Sequence, residues 1–152
     1  MPEGFRISAE ATHHGPTDLD TPSFFAEIGS TESQWTDPSA GEAVARSILG
    51  IELQETPVFL GFGGGHYVQR QTELILGTNA SFGHMFSNYQ IDALDSDLVE
   101  EARDKSGATY AYLDKKSLRS EMKKKLNGII DDLGMPQMRG REIKAKFPLV
   151  TM

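Results

Sequence analysis

The order of apolar and polar residues along the chain predicts short strands separated by helices. Phe5–Thr12 alternates apolar and polar positions with the period of two that a strand requires. Among the later candidates, Pro57–Gly61 is a compact apolar run of the kind found in buried parallel strands. Together the predicted strands are Phe5–Thr12, Phe24–Ile28, Pro57–Gly61, Ala80–Phe86 and Thr109–Leu113.

Apolar residues spaced three and four apart predict a helix after most of these strands. Asp37-Pro38 begins one of them, since Asp caps a helix well and proline suits the first helical position. The strongest helical pattern runs from Leu118 to Leu133 and ends before Gly134 and Pro136. The other two are Tyr67–Leu76 and a helix over Leu94–Ala102, which Asp95 or Ser96 caps and which ends near Gly107. Strands alternating with helices predict an α/β fold, with a mostly parallel sheet flanked by helices.

Length and composition indicate one folded domain. At 152 residues, with 38% apolar and 24% charged residues, the chain predicts a single α/β domain over 1–152. It contains no cysteine, which excludes thiol nucleophiles and iron–sulfur clusters. No apolar run approaches the ~18 residues that span a bilayer, so we expect no membrane partner. Residues 1–4 do not have the character of a signal peptide, and we expect a cytoplasmic protein.

The net charge of −7 is unevenly distributed. Residues 1–102 hold 3 basic and 16 acidic side chains, whereas residues 103–152 hold 12 basic and 6 acidic ones. A basic third on an acidic body can hold a polyanion at one place. The alternative is that these lysines form the solvated face of a helix. The basic residues concerned are Lys115, Lys116, Arg119, Lys123, Lys124 and Lys125.

All four histidines follow or lie near predicted strands. His13 and His14 follow the first strand, His66 follows the third, and His84 lies in a Gly-His-Met sequence at the fourth. Because parallel strands end at one edge of a sheet, we expect the imidazoles to converge there, with Glu27 beside them. Such a group can shuttle protons or bind one or two zinc ions. The spacing matches no standard zinc motif, so it indicates a polar site more firmly than a metal site.

Three consecutive glycines, Gly63 to Gly65, follow the third predicted strand. Their N–H groups, ahead of a helix, favour an anion, although a sharp strand-to-helix turn explains them equally well. The sequence matches neither the P-loop nor the dinucleotide-binding pattern, and the nucleophile elbow of α/β-hydrolases is absent. Thr12 offers a hydroxyl beside the first histidine pair.

Four blocks can be read together: Ala9–Thr17, then Phe25–Glu32 with Trp35, then Gly61–Tyr67, then Gly83-His84 with Tyr89. In that order they resemble the archaeal and plant type of D-aminoacyl-tRNA deacylase. The resemblance implies hydrolysis of the ester that joins a D-amino acid to tRNA, a zinc cofactor, and a fold similar to bacterial peptidyl-tRNA hydrolase and the nucleoside phosphorylases. It also implies that aminoacyl-tRNA is the partner of the basic C-terminal third.

The chain is shorter than typical members of that family and lacks the segment that precedes their first histidine block. The alternatives for this chain are a separately encoded short form, a fragment, or half of a two-chain enzyme, and in the last case a second chain or domain supplies the segment. Gln69 stands where we expect proline before Arg70. Two other functions stay open, a nucleoside- or phosphosugar-cleaving enzyme on the same scaffold and a non-catalytic tRNA-binding subunit.

The predicted site residues fall into three groups. Those expected to carry catalysis are His13, His14, His66, Glu27 and Thr12. Those expected to bind metal are His13, His14, His66, Glu27 and His84. Those expected to bind substrate are Gly63, Gly64, Gly65, Tyr67 and Arg70, together with Lys115, Lys116, Arg119, Lys123, Lys124 and Lys125.

Overall fold

The structure is a computed structural model, and it describes residues 2–15, 19 and 21–149. The chain forms two compact units, one of Met1–Ile7 with Thr21–Glu55 and the other of Ser8–Asp20 with Thr56–Met152. All strands of the described residues belong to the second unit. That the whole chain acts as one domain stays a prediction.

The first unit contains two helices, α1 (Glu32–Trp35) and α2 (Pro38–Leu49). Asp37 caps α2 as predicted, because its carboxylate accepts hydrogen bonds from the N–H groups of Ser39 and Ala40. Hydrogen bonds from the Ser39 hydroxyl and these N–H groups lower the pKa of Asp37. The strand predicted at Phe24–Ile28 is wrong: the segment is irregular and Phe24 is exposed. A short apolar run forms a strand only where another strand completes its hydrogen bonds.

The second unit is an α/β layer built on a parallel sheet of three strands in the order β2-β1-β3. The strands and the helices that follow each of them agree with the sequence pattern. A 3₁₀ helix and the C-terminal helix were not predicted. In chain order the elements are β1 (Val58–Phe62), α3 (Gln69–Gly77), β2 (Ser81–Phe86), a 3₁₀ helix (Ile91–Ala93), α4 (Ser96–Ser106), β3 (Tyr110–Leu113), α5 (Ser120–Asp132) and α6 (Gly140–Lys146).

The central strand β1 is buried on both faces, as its continuous apolar sequence predicts. Leu60 and Phe62 pack in one core with residues of α4 and α5, and Phe59 packs in a second core with residues of α3 and α6. Tyr112 of β3 belongs to this second core. Burial and the nearby charge of Asp114 raise the pKa of Tyr112 to about 12. This double covering fixes β1 firmly, and with it the position of the residues that follow.

The strand predicted at Phe5–Thr12 is also wrong. The segment is extended but makes only one isolated antiparallel bridge, between Glu10 and Tyr67. Ile7, at the centre of the alternating pattern, is 62% exposed. The alternation therefore reflects an extended segment rather than a strand with a buried face. Within the described parts of the chain, no helix has the length and apolar composition needed to cross a bilayer.

Candidate active site

An extended peptide around Glu10 crosses the residues that follow β1. The N–H of Ala11 donates to the His66 carbonyl at 2.9 Å, and the N–H of Val68 donates to the Ala9 carbonyl at 3.3 Å. These two hydrogen bonds flank the bridge between Glu10 and Tyr67. They bring the first histidine block beside the third one, although the two blocks lie far apart in the sequence.

The next residue, Thr12, fastens the same peptide to the end of β2. Its N–H donates to the Met85 carbonyl at 2.8 Å, and its hydroxyl oxygen accepts from the Met85 N–H at 3.1 Å. The side-chain amide of Gln90 donates to the Thr12 carbonyl at 2.9 Å. Thr12 thus holds the histidine loop in place, whereas its predicted catalytic role stays a prediction.

Three imidazoles surround one carboxylate at this edge of the sheet. Oε2 of Glu10 lies 3.4 Å from Nε2 of His66 and 3.9 Å from Nε2 of both His13 and His14. The His13 ring centroid lies 4.0 Å from that of His14 and 4.6 Å from that of His66. We call these four residues the Glu10 cluster. Glu10 is the least exposed of the four side chains, and the histidines face solvent, where a substrate can reach them.

The contacts of His13 indicate which of its ring nitrogens is available. Nδ1 of His13 lies 2.6 Å from the carbonyl oxygen of Ala11. A carbonyl only accepts hydrogen bonds, so this contact assigns the proton of a neutral ring to Nδ1. The lone pair is then on Nε2, the atom that faces Glu10. A histidine oriented in this way can bind a cation or take a proton through Nε2.

The donor set of the Glu10 cluster fits a zinc ion. Zinc prefers imidazole nitrogen and carboxylate oxygen in a tetrahedral arrangement. With bonds of ~2.0–2.2 Å, two such ligand atoms lie about 3.4 Å apart. The Glu10–His66 separation of 3.4 Å matches this value, and the two separations of 3.9 Å exceed it by about half an ångström. Glu10, His13 and His14 can each offer one ligand atom, and these three atoms lie within 4.8 Å of one another.

The other two predicted metal ligands are placed differently. His84 lies inside β2 rather than in a loop after a strand, and its ring packs 4.3 Å from that of Phe86. Burial there lowers the pKa of His84, which favours the neutral ring. Glu27 belongs to the first unit, in an irregular exposed segment. Metal binding by either residue stays a prediction.

Sequence reasoning missed Glu10, the carboxylate at the centre of the cluster. The available signal was its spacing, because Glu10 precedes His13 and His14 by three and four residues in the same block. The predicted strand obscured that signal, because it ends at Thr12 and so assigned Glu10 to the strand and the two histidines to the loop after it. Pro16 and Thr17, which end the same block, lie outside the described residues.

Two of the three glycine N–H groups are used within the fold. Gly63 and Gly64 take φ values of 98° and 95°, which favour glycine. The Gly63 N–H donates to the Phe86 carbonyl at 2.8 Å, and the Gly64 N–H donates to the Ser117 hydroxyl at 2.8 Å. Neither is therefore open to an anion, contrary to the expectation from sequence. Gly65 is exposed, and its N–H has no hydrogen-bond partner among the described residues.

Of the two residues predicted to bind substrate beside this turn, Tyr67 lies against the Glu10 cluster. Its exposed ring meets that of His66 edge-on, with centroids 4.9 Å apart. Arg70 instead turns towards the end of β3, where its Nε lies 3.2 Å from Oδ1 of the buried Asp114. That ion pair occupies part of the Arg70 guanidinium, so Tyr67 is the better placed of the two to contact a substrate.

The basic residues form two separate groups. Lys115 and Lys116 lie in the turn between β3 and α5, and both are exposed at the carboxyl edge of the sheet. Lys123, Lys124 and Lys125 lie on α5, where the Lys125 ammonium donates to the Asp92 carbonyl at 2.8 Å. The alternative that all five lysines form the solvated face of one helix therefore does not hold for Lys115 and Lys116.

The fold and the Glu10 cluster define an α/β protein with a candidate metal-binding site at the carboxyl edge of a parallel sheet. The chain belongs to the D-aminoacyl-tRNA deacylase family, whose sequence profile matches residues 1–138. This confirms the family that the sequence blocks suggested.

Individual relatives and a solved structure agree with this. D-aminoacyl-tRNA deacylase of Methanothrix thermoacetophila is 54% identical over 148 residues, which is 95% of this chain and 55% of that protein. D-aminoacyl-tRNA deacylase of Methanosarcina mazei is 51% identical, over 95% of this chain and 49% of that protein. A crystal structure of a conserved protein of unknown function has a TM-score of 0.87 at 39% identity, over 96% of this chain and 53% of its own. The chain thus spans about half the length of the proteins it matches, and the predicted α/β fold class is confirmed.

Proposed function

We propose that this chain hydrolyses the ester bond of D-aminoacyl-tRNA at the Glu10 cluster, releasing a D-amino acid and free tRNA. The observation that carries the proposal is the set of three imidazoles within 3.9 Å of one carboxylate oxygen. The family and the names of the relatives support the substrate class. An aminoacyl-tRNA substrate also favours the cytoplasm, where translation takes place.

The chain's own residues can supply most of what this reaction needs. An aminoacyl ester is already activated, so hydrolysis requires a positioned water, a proton acceptor and a donor for the oxyanion. The Nε2 lone pair of His13 can either accept the proton of the attacking water or bind the zinc ion proposed below, but not both at once. The exposed Gly65 N–H, one residue before His66, is a candidate donor to the oxyanion. Tyr67, packed on His66, would contact the aminoacyl group.

We further propose that the Glu10 cluster holds zinc, as one or two ions. The ligand types and separations of Glu10, His13 and His14 support this, and His66, 3.4 Å from Glu10 but outside that three-residue group, is a further candidate ligand. A zinc ion there would polarise the ester carbonyl and lower the pKa of a water.

The tRNA itself would bind across the basic residues. Lys115 and Lys116 lie at the same edge of the sheet as the residues that follow β1, so they can reach phosphates near the ester. The lysines of α5 can reach phosphates further along the RNA. Since phosphate contacts release counterions, we expect binding to weaken steeply with salt.

Deacylation assays on matched D- and L-aminoacyl-tRNA, combined with metal analysis, test the proposal. We expect hydrolysis of the D-ester by the purified chain, with about one or two zinc ions retained per chain. A His66→Ala variant should lose hydrolysis and retain less zinc. His84→Ala, measured alongside it, tests the predicted metal ligand outside the Glu10 cluster. Folded His66→Ala protein with full activity would remove the cluster from the reaction.

The same assays separate the other two functions. Turnover of nucleosides or phosphosugars without ester hydrolysis would favour a cleavage enzyme on the same scaffold. RNA binding without any turnover would favour a non-catalytic subunit. If activity appears only when the remaining half of a relative is added as a separate chain, a second chain or domain is required.

A further inference from the structure

A cleft of about 380 Å³ opens at the carboxyl edge of the sheet, apart from the Glu10 cluster. Its volume lies at the small end of the range of ~300–1,000 Å³ typical of ligand pockets. It lies between the segment after β2 and the start of α5. Its lining residues are Asn88, Tyr89, Asp92, Ser117, Arg119 and Met122. We call it the Tyr89 cleft.

The Tyr89 cleft adjoins the glycine turn. A Cβ atom built on Gly65 would lie 3.7 Å from the hydroxyl oxygen of Tyr89. The next residue is His66, whose ring lies 3.4 Å from Glu10. The Tyr89 hydroxyl therefore lies near the residue that immediately precedes a histidine of the Glu10 cluster.

The walls of the cleft are fixed by hydrogen bonds that also hold the glycine turn. The Asn88 N–H donates to the Gly64 carbonyl at 2.9 Å, and the Asn88 side-chain amide donates to the Ser117 carbonyl at 3.1 Å. The Ser117 hydroxyl in turn accepts from the Gly64 N–H. A cleft held in this way keeps its shape before a ligand arrives, which lowers the entropic cost of binding.

The exposed groups of the cleft match one nucleotide. Tyr89 is 70% exposed, so its ring offers a face on which a base can stack. Arg119 is the N-cap residue of α5, and no side chain caps that helix end. Its guanidinium and the uncapped N–H groups of the first turn both favour a phosphate. The Arg119 guanidinium lies 3.6 Å from the carboxylate of Asp92, and because both side chains are exposed a phosphate can displace this ion pair.

We infer that the Tyr89 cleft binds the terminal nucleotide unit of the RNA, with the base on Tyr89 and its 5′ phosphate at Arg119. Asp92 would then accept hydrogen bonds from ribose hydroxyls or a base amino group. The inference rests on the proposed function, since it places the nucleotide next to the ester in the cleft next to the cluster.

Binding of a short RNA that carries no amino acid tests the inference independently of hydrolysis. We would titrate the full chain with a trinucleotide that has the sequence of a tRNA 3′ end, and follow backbone amide signals by NMR. We expect saturable shifts at Gly65, Tyr89 and Arg119. Tyr89→Ala should weaken the affinity about 5- to 150-fold, the range expected for one stacked base. Tyr89→Phe, which keeps the ring, should bind like the wild type.

A matched control is Lys105→Ala, because Lys105 lies at the end of α4, where the chain enters β3 at the opposite edge of the sheet. It should leave the affinity unchanged. Equal affinity of Tyr89→Ala and wild type, or no shifts at millimolar RNA, would overturn the inference. If D-aminoacyl-tRNA is still hydrolysed in that case, the proposed function survives without this cleft. Trinucleotide binding that depends on Tyr89, in a chain that hydrolyses no ester, would support the cleft and defeat the proposed function.

Discussion

The carboxylate of Glu10 lies 3.4 Å from Nε2 of His66, at the junction of two peptide segments that are distant in the sequence. Backbone hydrogen bonds on both sides of Glu10 fix this pair. The Glu10 cluster is therefore a consequence of how the chain crosses the carboxyl edge of the sheet. Any change that detaches the crossing segment should disperse the cluster without touching its side chains.

Gln90 provides a way to loosen that crossing segment. Its side-chain amide donates to the Thr12 carbonyl, while its oxygen accepts from the N–H and hydroxyl of Ser87. Gln90→Glu keeps the acceptor and replaces the donor with an oxygen that repels the Thr12 carbonyl. We expect roughly tenfold slower deacylation with a melting temperature lowered by only a few degrees, since one hydrogen bond is worth ~0.5–1.5 kcal/mol.

An alternative result would limit the role of Gln90. If Gln90→Glu and Gln90→Ala both deacylate at the wild-type rate, the hydrogen bond from Gln90 to the Thr12 carbonyl does not position the histidines. Asn127→Asp provides a comparable amide-to-carboxylate change on α5, where Asn127 pairs with Gln137 away from the Glu10 cluster.

Gly63 and Gly65 should differ sharply in their tolerance of a side chain. A Cβ on Gly63 would lie 2.7 Å from the Ser117 hydroxyl oxygen, and the φ of 98° is unfavourable for alanine. Gly63→Ala should lower the free energy of unfolding by about 2 kcal/mol or more. On Gly65 the nearest atom is 3.7 Å away and φ is not in the glycine-favouring range. Gly65→Ala should cost less than about 1 kcal/mol in urea unfolding, and equal losses in the two variants would contradict the described turn.

Lys124 tests the electrostatic part of the account. It is exposed on α5, so replacing it with alanine should leave stability unchanged. If it contacts a phosphate, Lys124→Ala should weaken tRNA binding and reduce the slope of log K against log salt by about 1. Lys105→Ala, on α4, should leave the slope unchanged. An unaltered slope for Lys124→Ala would show that Lys124 contacts no phosphate and is part of the solvated face of the helix.

His84 should contribute a measurable pH dependence of stability. Burial lowers its pKa in the folded chain from the ordinary value of 6.5. At pH values between 6.5 and the lowered pKa of the folded chain, the unfolded chain binds more protons than the folded chain. Stability therefore falls as the pH drops through that window. In His84→Gln this part of the pH dependence should disappear, as measured by thermal unfolding from pH 7.5 downwards. An identical pH profile in both proteins would indicate that His84 is not buried as described.

The core of the fold could be predicted from sequence because continuous apolar runs and helix caps carry local signals. β1 and α5 lie close to their predicted bounds, since each is set by burial that its own residues encode. Phe5–Thr12 could not be assigned correctly, because its extended form depends on hydrogen bonds to His66 and Met85 supplied by distant residues. Local alternation cannot distinguish such a segment from a paired strand.

The candidate site was predictable in its histidines and not in its carboxylate. His13, His14 and His66 meet as expected, although the reason is the crossing segment rather than a first parallel strand. The sequence offered only the spacing of Glu10 from His13 and His14, and the position of Glu10 in three dimensions identifies it. The glycine turn was predictable as a turn. The sequence could not reveal that the N–H groups of Gly63 and Gly64 already donate hydrogen bonds to the Phe86 carbonyl and the Ser117 hydroxyl.

The most direct test of the account is the deacylation rate of Glu10→Gln on D-aminoacyl-tRNA. The substitution keeps the shape of the side chain and removes the charge at the centre of the Glu10 cluster. We predict a folded protein with reduced zinc content and at least about 100-fold slower hydrolysis. Glu27→Gln, measured alongside it, examines the carboxylate expected from the sequence. Hydrolysis by Glu10→Gln at the wild-type rate, with zinc retained, would contradict the central role of this cluster.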